Sequence, residues 1–152
     1  MASSENAVPE VAPAILPELP PVDDVTAPWW EATRGQTLLI QQCSACGHLQ
    51  HYPRALCTAC GATALGWMES PGVGVVDSFT VVHRGLPGYA EAPYVVARVR
   101  LAEGVVLLTN LVDVDQAALR CDQPAELRWR ALSDGRHLPV FTVPDLRPDN
   151  PR

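Results

Sequence analysis

Four cysteines of this chain occur in two short motifs with the same spacing, Cys43-Ser44-Ala45-Cys46 and Cys57-Thr58-Ala59-Cys60. A glycine follows each motif, and its freedom to adopt positive φ lets backbone N–H groups approach the sulfurs. Two such turns supply four thiolates, which is the tetrahedral ligand set that structural zinc prefers. The spacing therefore predicts a metal site formed by Cys43, Cys46, Cys57 and Cys60, with Zn²⁺ as the structural cofactor.

Other interpretations of these cysteines fit the sequence less well. A redox pair of the thioredoxin type would lie in a βαβ unit, and no such unit is indicated here. A disulfide framework conflicts with the odd count of five cysteines and with the lack of a signal peptide. Iron in the same four-sulfur cage stays open as the chemical alternative to zinc. We expect His48 and His51 to be bystanders, because four cysteines already fill the coordination shell.

The sequence shows no second group of residues with catalytic spacing. Because a closed four-thiolate site leaves no position for water, we expect the metal to support structure. Cys121 has no neighbouring histidine that could act as a base, and we expect a spare, partly buried thiol. Asp113 and Asp115 are expected to cap a turn. We therefore predict no catalytic residue, and no catalysis by this chain alone.

Composition and charge exclude several functional classes. The chain has 152 residues, 47% of them hydrophobic, and a formal net charge of -6. Five of its 17 acidic residues lie before residue 27, where no basic residue occurs, so 12 acids face 11 arginines in the remainder. A chain without a basic surface is not expected to bind nucleic acid. The sequence lacks a long apolar run and a signal peptide, so we expect no membrane partner and a cytoplasmic location.

The pattern along the chain divides it into five segments. Residues 1–26 are predicted to form a disordered, acidic, proline-rich leader, in which the prolines deny helix and sheet. A docking helix is expected over 27–36, with Pro28 in the first turn and Gly35 at its end. Because Trp29 and Trp30 cannot share one helix face equally, we expect one to pack on this domain. The other would then cover a second surface, within the chain or on a partner.

The remaining segments are predicted to be mainly β. A zinc ribbon of rubredoxin type is expected over 37–70, a barrel over 71–143 and a tail over 144–152. Alternation of apolar and polar residues predicts five barrel strands, with a short helical turn at 115–119 between the third and the fourth. Five short, coiled strands are typical of an OB-fold barrel, and an SH3-like barrel is the alternative. The expected strands cover residues 73–84, 94–101, 105–111, 125–131 and 137–143.

Several segments of the sequence resemble a known family, and together they extend over about residues 28 to 143. They are residues 39–47, 52–61, 72–84, 92–97 and 138–141. The family is the domain-of-unknown-function family of OB-fold and rubredoxin-like zinc-ribbon subunits that accompany thiolase-superfamily enzymes. The resemblance implies that the chain is a non-catalytic subunit that stabilises a thiolase-like or lipid-transfer-protein-like partner, in an expected 2:2 heterotetramer.

The resemblance also implies a substrate class. The partner would cleave a C–C bond of a coenzyme A thioester by thiolysis or retro-aldol chemistry, in the degradation of steroid side chains or aromatic acids. The loop over 85–93 would line the acyl-CoA channel, with Leu86 and Tyr89 against the acyl group. Because guanidinium groups pair bidentately with phosphate, Arg84 and Arg98 are the preferred contacts for CoA phosphates. Arg100, Arg128 and Arg130 are further candidates.

Two other functional classes are compatible with the predicted fold. Zinc ribbons and OB folds both occur in proteins that bind single-stranded nucleic acid, which makes such binding the alternative function. That class requires exposed aromatic residues along a positive groove. Trp129 and Phe141 are expected to face inward, which argues against it. A stand-alone structural zinc protein is the third hypothesis.

Overall fold

The structure is a computed structural model, and it describes residues 10–11, 19–85 and 92–144. The described residues contain one helix and nine strands. In chain order the elements are β1 (Glu10–Val11), α1 (Ala27–Arg34), β2 (Leu38–Cys43), β3 (Leu49–Gln50), β4 (Leu65–Ser70), β5 (Val73–Val82), β6 (Tyr94–Leu101), β7 (Val106–Leu111), β8 (Pro124–Ala131) and β9 (His137–Thr142). No helix of this part of the chain is long and apolar enough to cross a membrane.

The zinc ribbon is a three-stranded antiparallel sheet in the order β3-β2-β4. Strand β2 is its centre and pairs with β4 along its whole length, from Leu38 opposite Ser70 to Cys43 opposite Leu65. Leu38 and Ile40 are almost completely buried. This packing fixes the direction in which β2 delivers Cys43 to the metal site.

The five strands β5 to β9 close into a barrel, which confirms the predicted OB fold. Strand β5 pairs with β6, β6 with β7, β7 with β9, β9 with β8, and β8 with β5 again. A bulge between Val76 and Ser78 increases the local coiling of β5. Gly74 allows the close strand contact, because a Cβ atom there would lie 2.4 Å from the carbonyl oxygen of Arg100. Residues 116–118 form a turn and not a helix.

Helix α1 packs between the ribbon and the barrel, and both of its tryptophans are buried. Trp29 is 3% exposed and Trp30 is 4% exposed. The two side chains are therefore equally buried, and the second surface that we expected one of them to cover lies within this chain. The indole of Trp29 donates a hydrogen bond to the Leu39 carbonyl in the ribbon at 3.1 Å, whereas Arg136, before β9, lies 4.4 Å from the centre of the Trp30 ring. Each tryptophan covers a different module, so both are enclosed by the same chain.

Part of the predicted leader is paired with the barrel. Glu10 and Val11 form a parallel pairing with Trp129 and Arg130 of β8. The expectation that prolines exclude a sheet throughout residues 1–26 is wrong at these two positions, because neither is proline. Strand β5 pairs with β8 only as far as Glu126, which leaves the following edge of β8 available to β1. The leader residues 1–9 and 12–18 lie outside the described part of the chain, as do 145–152 of the predicted tail.

Candidate functional site

The two cysteine motifs bring four sulfur atoms together at one end of the ribbon. The Sγ atoms of Cys43 and Cys60 are 3.7 Å apart, as are those of Cys46 and Cys57, and all four lie within 4.8 Å of one another. A tetrahedral ion with Zn–S bonds of about 2.3 Å requires sulfur separations of about 3.8 Å. All four cysteines are free thiols, so the donor set fits a tetrahedral metal ion.

Each motif is folded by the same backbone hydrogen bonds. The N–H of Gly47 donates to the Cys43 carbonyl at 2.8 Å, and the N–H of Gly61 donates to the Cys57 carbonyl at 2.9 Å. Both glycines have a φ of 75°. This conformation is unfavourable for residues that carry a side chain, whereas glycine adopts it without strain. The two sequence motifs therefore form the same backbone turn twice. Because this turn needs the spacing of two cysteines followed by a glycine, the site can be detected from the sequence.

The surroundings of two cysteines shift their pKa values in opposite directions. The backbone N–H groups of Cys60 and Ala59 point at the Cys57 sulfur and hold its pKa at about 6. Although the N–H of His48 lowers the pKa of Cys46, the surrounding thiols and burial raise it to about 12. Four thiolates at this spacing repel one another, so full ionisation requires a metal cation to offset their charge.

A buried pair of glutamine side chains supports the second motif. The Gln50 amide donates to the Gln41 side-chain oxygen at 2.6 Å and to the Leu56 carbonyl at 3.2 Å. The Gln50 oxygen accepts from the backbone N–H of Thr58, inside the motif, at 2.8 Å. The Gln41 oxygen in turn accepts from the N–H of Arg54 at 3.0 Å. Sequence reasoning missed both residues, although two glutamines on buried strand positions are the kind of polar signal that marks such a network.

The other candidate ligands of the ribbon make different contacts. His48 is exposed, and its Nε2 lies 3.1 Å from the Thr58 hydroxyl oxygen, which links the two motifs. His51 packs against the rings of Trp29 and Tyr52, and burial lowers its pKa to about 4. Cys121 is exposed, whereas we expected a partly buried thiol.

The residues predicted to contact coenzyme A are spread along the β5–β6 pair. Leu86 and Tyr89 lie outside the described residues. Arg84 is exposed and follows the end of β5, where Val82 pairs with Tyr94. Arg98 pairs with Ser78, and this pair lies four residues, or about 13 Å, along the strands from the pair of Val82 and Tyr94. Its guanidinium lies 3.4 Å from the carboxylate of Asp77, which also faces Arg100 at 3.5 Å.

Arg130 differs from these arginines in its surroundings. It lies near the end of β8 and lines a groove of about 250 Å³ together with the start of β6 and the segment after β7. Among the described residues, no oxygen accepts a hydrogen bond from its guanidinium, and its buried Nε has no partner. Desolvation lowers the pKa of Arg130, and the carboxylate of Asp113 partly opposes that effect.

Two family models match the chain in succession. Residues 30–66 match the ChsH2 rubredoxin-like zinc ribbon domain, and residues 67–130 match the ChsH2 C-terminal OB-fold domain. The boundary between them lies within β4, close to the predicted boundary after residue 70. These matches agree with the ribbon and the barrel seen in the structure.

Individual relatives support the same assignment. The chain is 37% identical over 132 residues to a protein of Thermomonospora curvata named probable enoyl-CoA hydratase alpha subunit. The matched region covers 87% of this chain and 41% of that protein, so this chain spans less than half the length of that relative. It is 29% identical over 107 residues to a DUF35 domain-containing scaffold protein of Pyrococcus furiosus, covering 70% of this chain and 79% of that one.

A solved structure agrees with the fold along almost its whole length. The structure, described as Ltp2-ChsH2(DUF35) aldolase, matches with a TM-score of 0.76 and 37% identity. The match covers 82% of this chain and 98% of that chain.

Proposed function

This chain belongs to the family of ChsH2-type zinc-ribbon and OB-fold proteins, and from that membership we propose that it is a non-catalytic scaffold subunit. Its partner would be a thiolase-like enzyme that acts on a coenzyme A thioester. The observation that carries the proposal is the likeness to the ChsH2(DUF35) chain, because 98% of a chain described with an aldolase is matched at 37% identity.

The metal has a structural role in this proposal. Cys43, Cys46, Cys57 and Cys60 would hold Zn²⁺, which offsets the charge of four thiolates and cross-links the two motifs. The ribbon is small and contributes few buried side chains besides Leu38, Ile40 and the two cysteines Cys43 and Cys57. Such a module depends on the metal for its stability. Elemental analysis distinguishes zinc from iron, and a purified chain without bound metal would contradict the assignment.

The proposed partnership can be tested by co-purification. We expect a thiolase-like protein of the same organism, co-expressed with this chain, to elute with it as one species in size-exclusion chromatography. Light scattering should give the mass of a 2:2 heterotetramer. Independent elution of the two proteins, with the metal present in stoichiometric amount, would contradict the scaffold role.

The reaction proposed for the partner is C–C bond cleavage of the thioester, by thiolysis or retro-aldol chemistry. Steroid side-chain or aromatic-acid thioesters are the proposed substrates. Turnover should require both proteins, and this chain alone should give none. Arg84→Ala and Arg98→Ala test the proposed CoA contacts in the complex. An unchanged KM for the thioester would remove either arginine from the channel.

A hydratase is a second candidate for the partner. The observation in its favour is the name of the Thermomonospora curvata relative, enoyl-CoA hydratase alpha subunit, of which this chain spans 41%. Co-purification with a hydratase subunit, together with hydration of an enoyl-CoA, would support this candidate over the thiolase-like partner.

Binding of single-stranded nucleic acid receives no support from the barrel surface. Trp129 and Phe141 are buried, at 1% and 0% exposure, so neither can stack on a base. Phe79 and Tyr94 are partly buried, and Tyr89 lies outside the described residues. The described barrel therefore lacks a row of exposed aromatic side chains. A salt-sensitive gel shift with single-stranded DNA would revive this alternative.

A further inference from the structure

We propose that the groove containing Arg130 is a binding site for a phosphate group. The groove holds about 250 Å³ and is lined by Pro93, Tyr94, Asp113, Gln116 and Arg130, together with apolar residues of β6, of β7 and of the segment after β7. Its volume is large enough for one phosphate and its immediate attachment.

The argument starts from the charge of Arg130. The other arginines of the barrel strands have acidic neighbours, since Arg98 and Arg100 face Asp77, and Arg128 faces Glu126. Within residues 19–85 and 92–144, no carboxylate lies within 4.0 Å of the Arg130 guanidinium. A partly buried cation without an acceptor is costly, and an oxyanion that accepts from its N–H groups would relieve that cost.

The walls of the groove are fixed by hydrogen bonds. The Gln116 side chain donates to the carbonyl of Pro93 at 3.2 Å, which ties the turn after β7 to the start of β6. The Asn110 amide donates to the Val95 carbonyl at 2.9 Å and joins β7 to β6 beside it. Arg130 therefore lies in a preformed groove and does not need a new backbone conformation in order to bind.

Asp113 sets the expected strength of binding. It is the acidic residue among those that line the groove, and it lies beyond ion-pair distance of Arg130. Its carboxylate attracts the guanidinium and repels a bound phosphate, so one guanidinium against this charge gives weak binding. Removal of the Asp113 charge should therefore tighten phosphate binding, whereas removal of the Arg130 charge should weaken it.

The test uses the full, metal-loaded chain without any partner, so that it is independent of the proposed function. Inorganic phosphate is titrated at constant ionic strength while the ¹H–¹⁵N spectrum, including the Arg130 Nε–H signal, is recorded. We expect saturable shifts at Arg130, Tyr94 and Gln116. Arg130→Gln should weaken binding at least about tenfold, Arg130→Lys should retain part of it, and Asp113→Asn should tighten it.

Arg54→Gln is the control, because Arg54 is an exposed arginine of the ribbon that does not line the groove. It should bind phosphate as the unmodified chain does. The proposal is overturned if phosphate gives no saturable shift, or if Arg130→Gln, shown to be folded by its spectrum, binds unchanged. Acetate is titrated in parallel, and acetate binding as tight as that of phosphate would overturn the phosphate assignment in favour of a carboxylate ligand.

If the proposed function also holds, a coenzyme A thioester is the natural source of such a phosphate. Phosphate binding by the isolated chain, combined with failure to bind a thiolase-like partner, would retain this site and reject the scaffold role. Binding of a thiolase-like partner, combined with no phosphate binding by the isolated chain, would reject only the phosphate site.

Discussion

At the scale of single residues, the exposed and buried cysteines of the metal site have different roles. Cys43 and Cys57 are buried in the ribbon, whereas Cys46 and Cys60 are exposed. A change at Cys43 or Cys57 would disturb packing as well as metal binding. The exposed pair contributes to stability mainly through the ion.

We therefore expect Cys60→Ser to release the metal and to lower the thermal midpoint of unfolding by about 10 °C or more, because metal binding contributes to the folding free energy. Elemental analysis and calorimetry measure the two effects. Cys121→Ser is the matched control, since Cys121 is also an exposed thiol and lies outside the cluster. Full metal content in Cys60→Ser would contradict the four-ligand site.

His51 makes stability depend on pH. Burial lowers its pKa from 6.5 to about 4, so the unfolded chain binds the proton more tightly than the folded chain does. This contribution is complete above pH 6.5 and is lost as the pH falls towards 4. It amounts to at most about 3 kcal/mol.

We expect His51→Phe to flatten the loss of unfolding free energy between pH 6.5 and pH 4, because phenylalanine has no proton to bind. Chemical denaturation at several pH values measures the slope. Gln42→Ala, at an exposed residue that does not titrate, should leave the slope as it is in the unmodified chain. An identical slope in His51→Phe would show that His51 does not titrate in this range.

At the scale of elements, the second cysteine motif is held by hydrogen bonds from outside itself. Gln50 of β3 accepts from the N–H of Thr58, and Gln41 of β2 accepts from the N–H of Arg54. The strands of the ribbon thus set the position of the loop between them. Such pre-organisation lowers the conformational cost of binding the ion.

Gln50→Ala should weaken metal affinity about 10- to 100-fold, because the Thr58 N–H and the Gln41 side chain lose their partner. Competition with a chromogenic chelator measures the affinity directly. Gln42→Ala changes the same residue type at an exposed position of β2 and should have no effect. An unchanged affinity in Gln50→Ala would mean that the metal alone orders the motif.

At the scale of the whole molecule, helix α1 joins the ribbon to the barrel. Trp29 contacts Tyr52 of the ribbon, with ring centres 5.5 Å apart, and Trp30 lies under Arg136. The Thr33 carbonyl and the Nδ1 of His137 in β9 are 2.9 Å apart, and the Arg34 guanidinium donates to the Asp134 carbonyl at 2.7 Å. One hydrophobic core therefore extends from Ile40 of the ribbon to Phe141 of the barrel.

Trp30→Ala should reduce the free energy of unfolding by about 3–5 kcal/mol, because it leaves a large cavity between the modules. Urea denaturation followed by circular dichroism measures the change. Glu31→Ala, at a largely exposed neighbour on the same helix, should change it by less than about 0.5 kcal/mol. A small effect of Trp30→Ala would indicate that ribbon and barrel are stable independently.

Much of the fold and the metal site could be predicted from the sequence, because both depend on spacing within short stretches. The doubled cysteine motif specifies four sulfurs, and the alternation of residues 94–101 and 125–131 specifies strands with one buried face. Those signals need no knowledge of distant neighbours. The boundaries of the five segments remain predictions.

Other properties were decided by contacts between residues that are far apart in the sequence. The two tryptophans are both buried because the ribbon and the barrel approach α1 from different sides. Arg98 and Arg130 both occupy polar positions of an alternating strand. Arg98 forms an ion pair with Asp77 of the neighbouring strand, whereas Arg130 has no hydrogen-bond acceptor among the described residues. The sequence determined which residues could bind a metal, because the cysteine spacing is local, and barrel closure decided which of the barrel-strand arginines has no carboxylate beside it within residues 19–85 and 92–144.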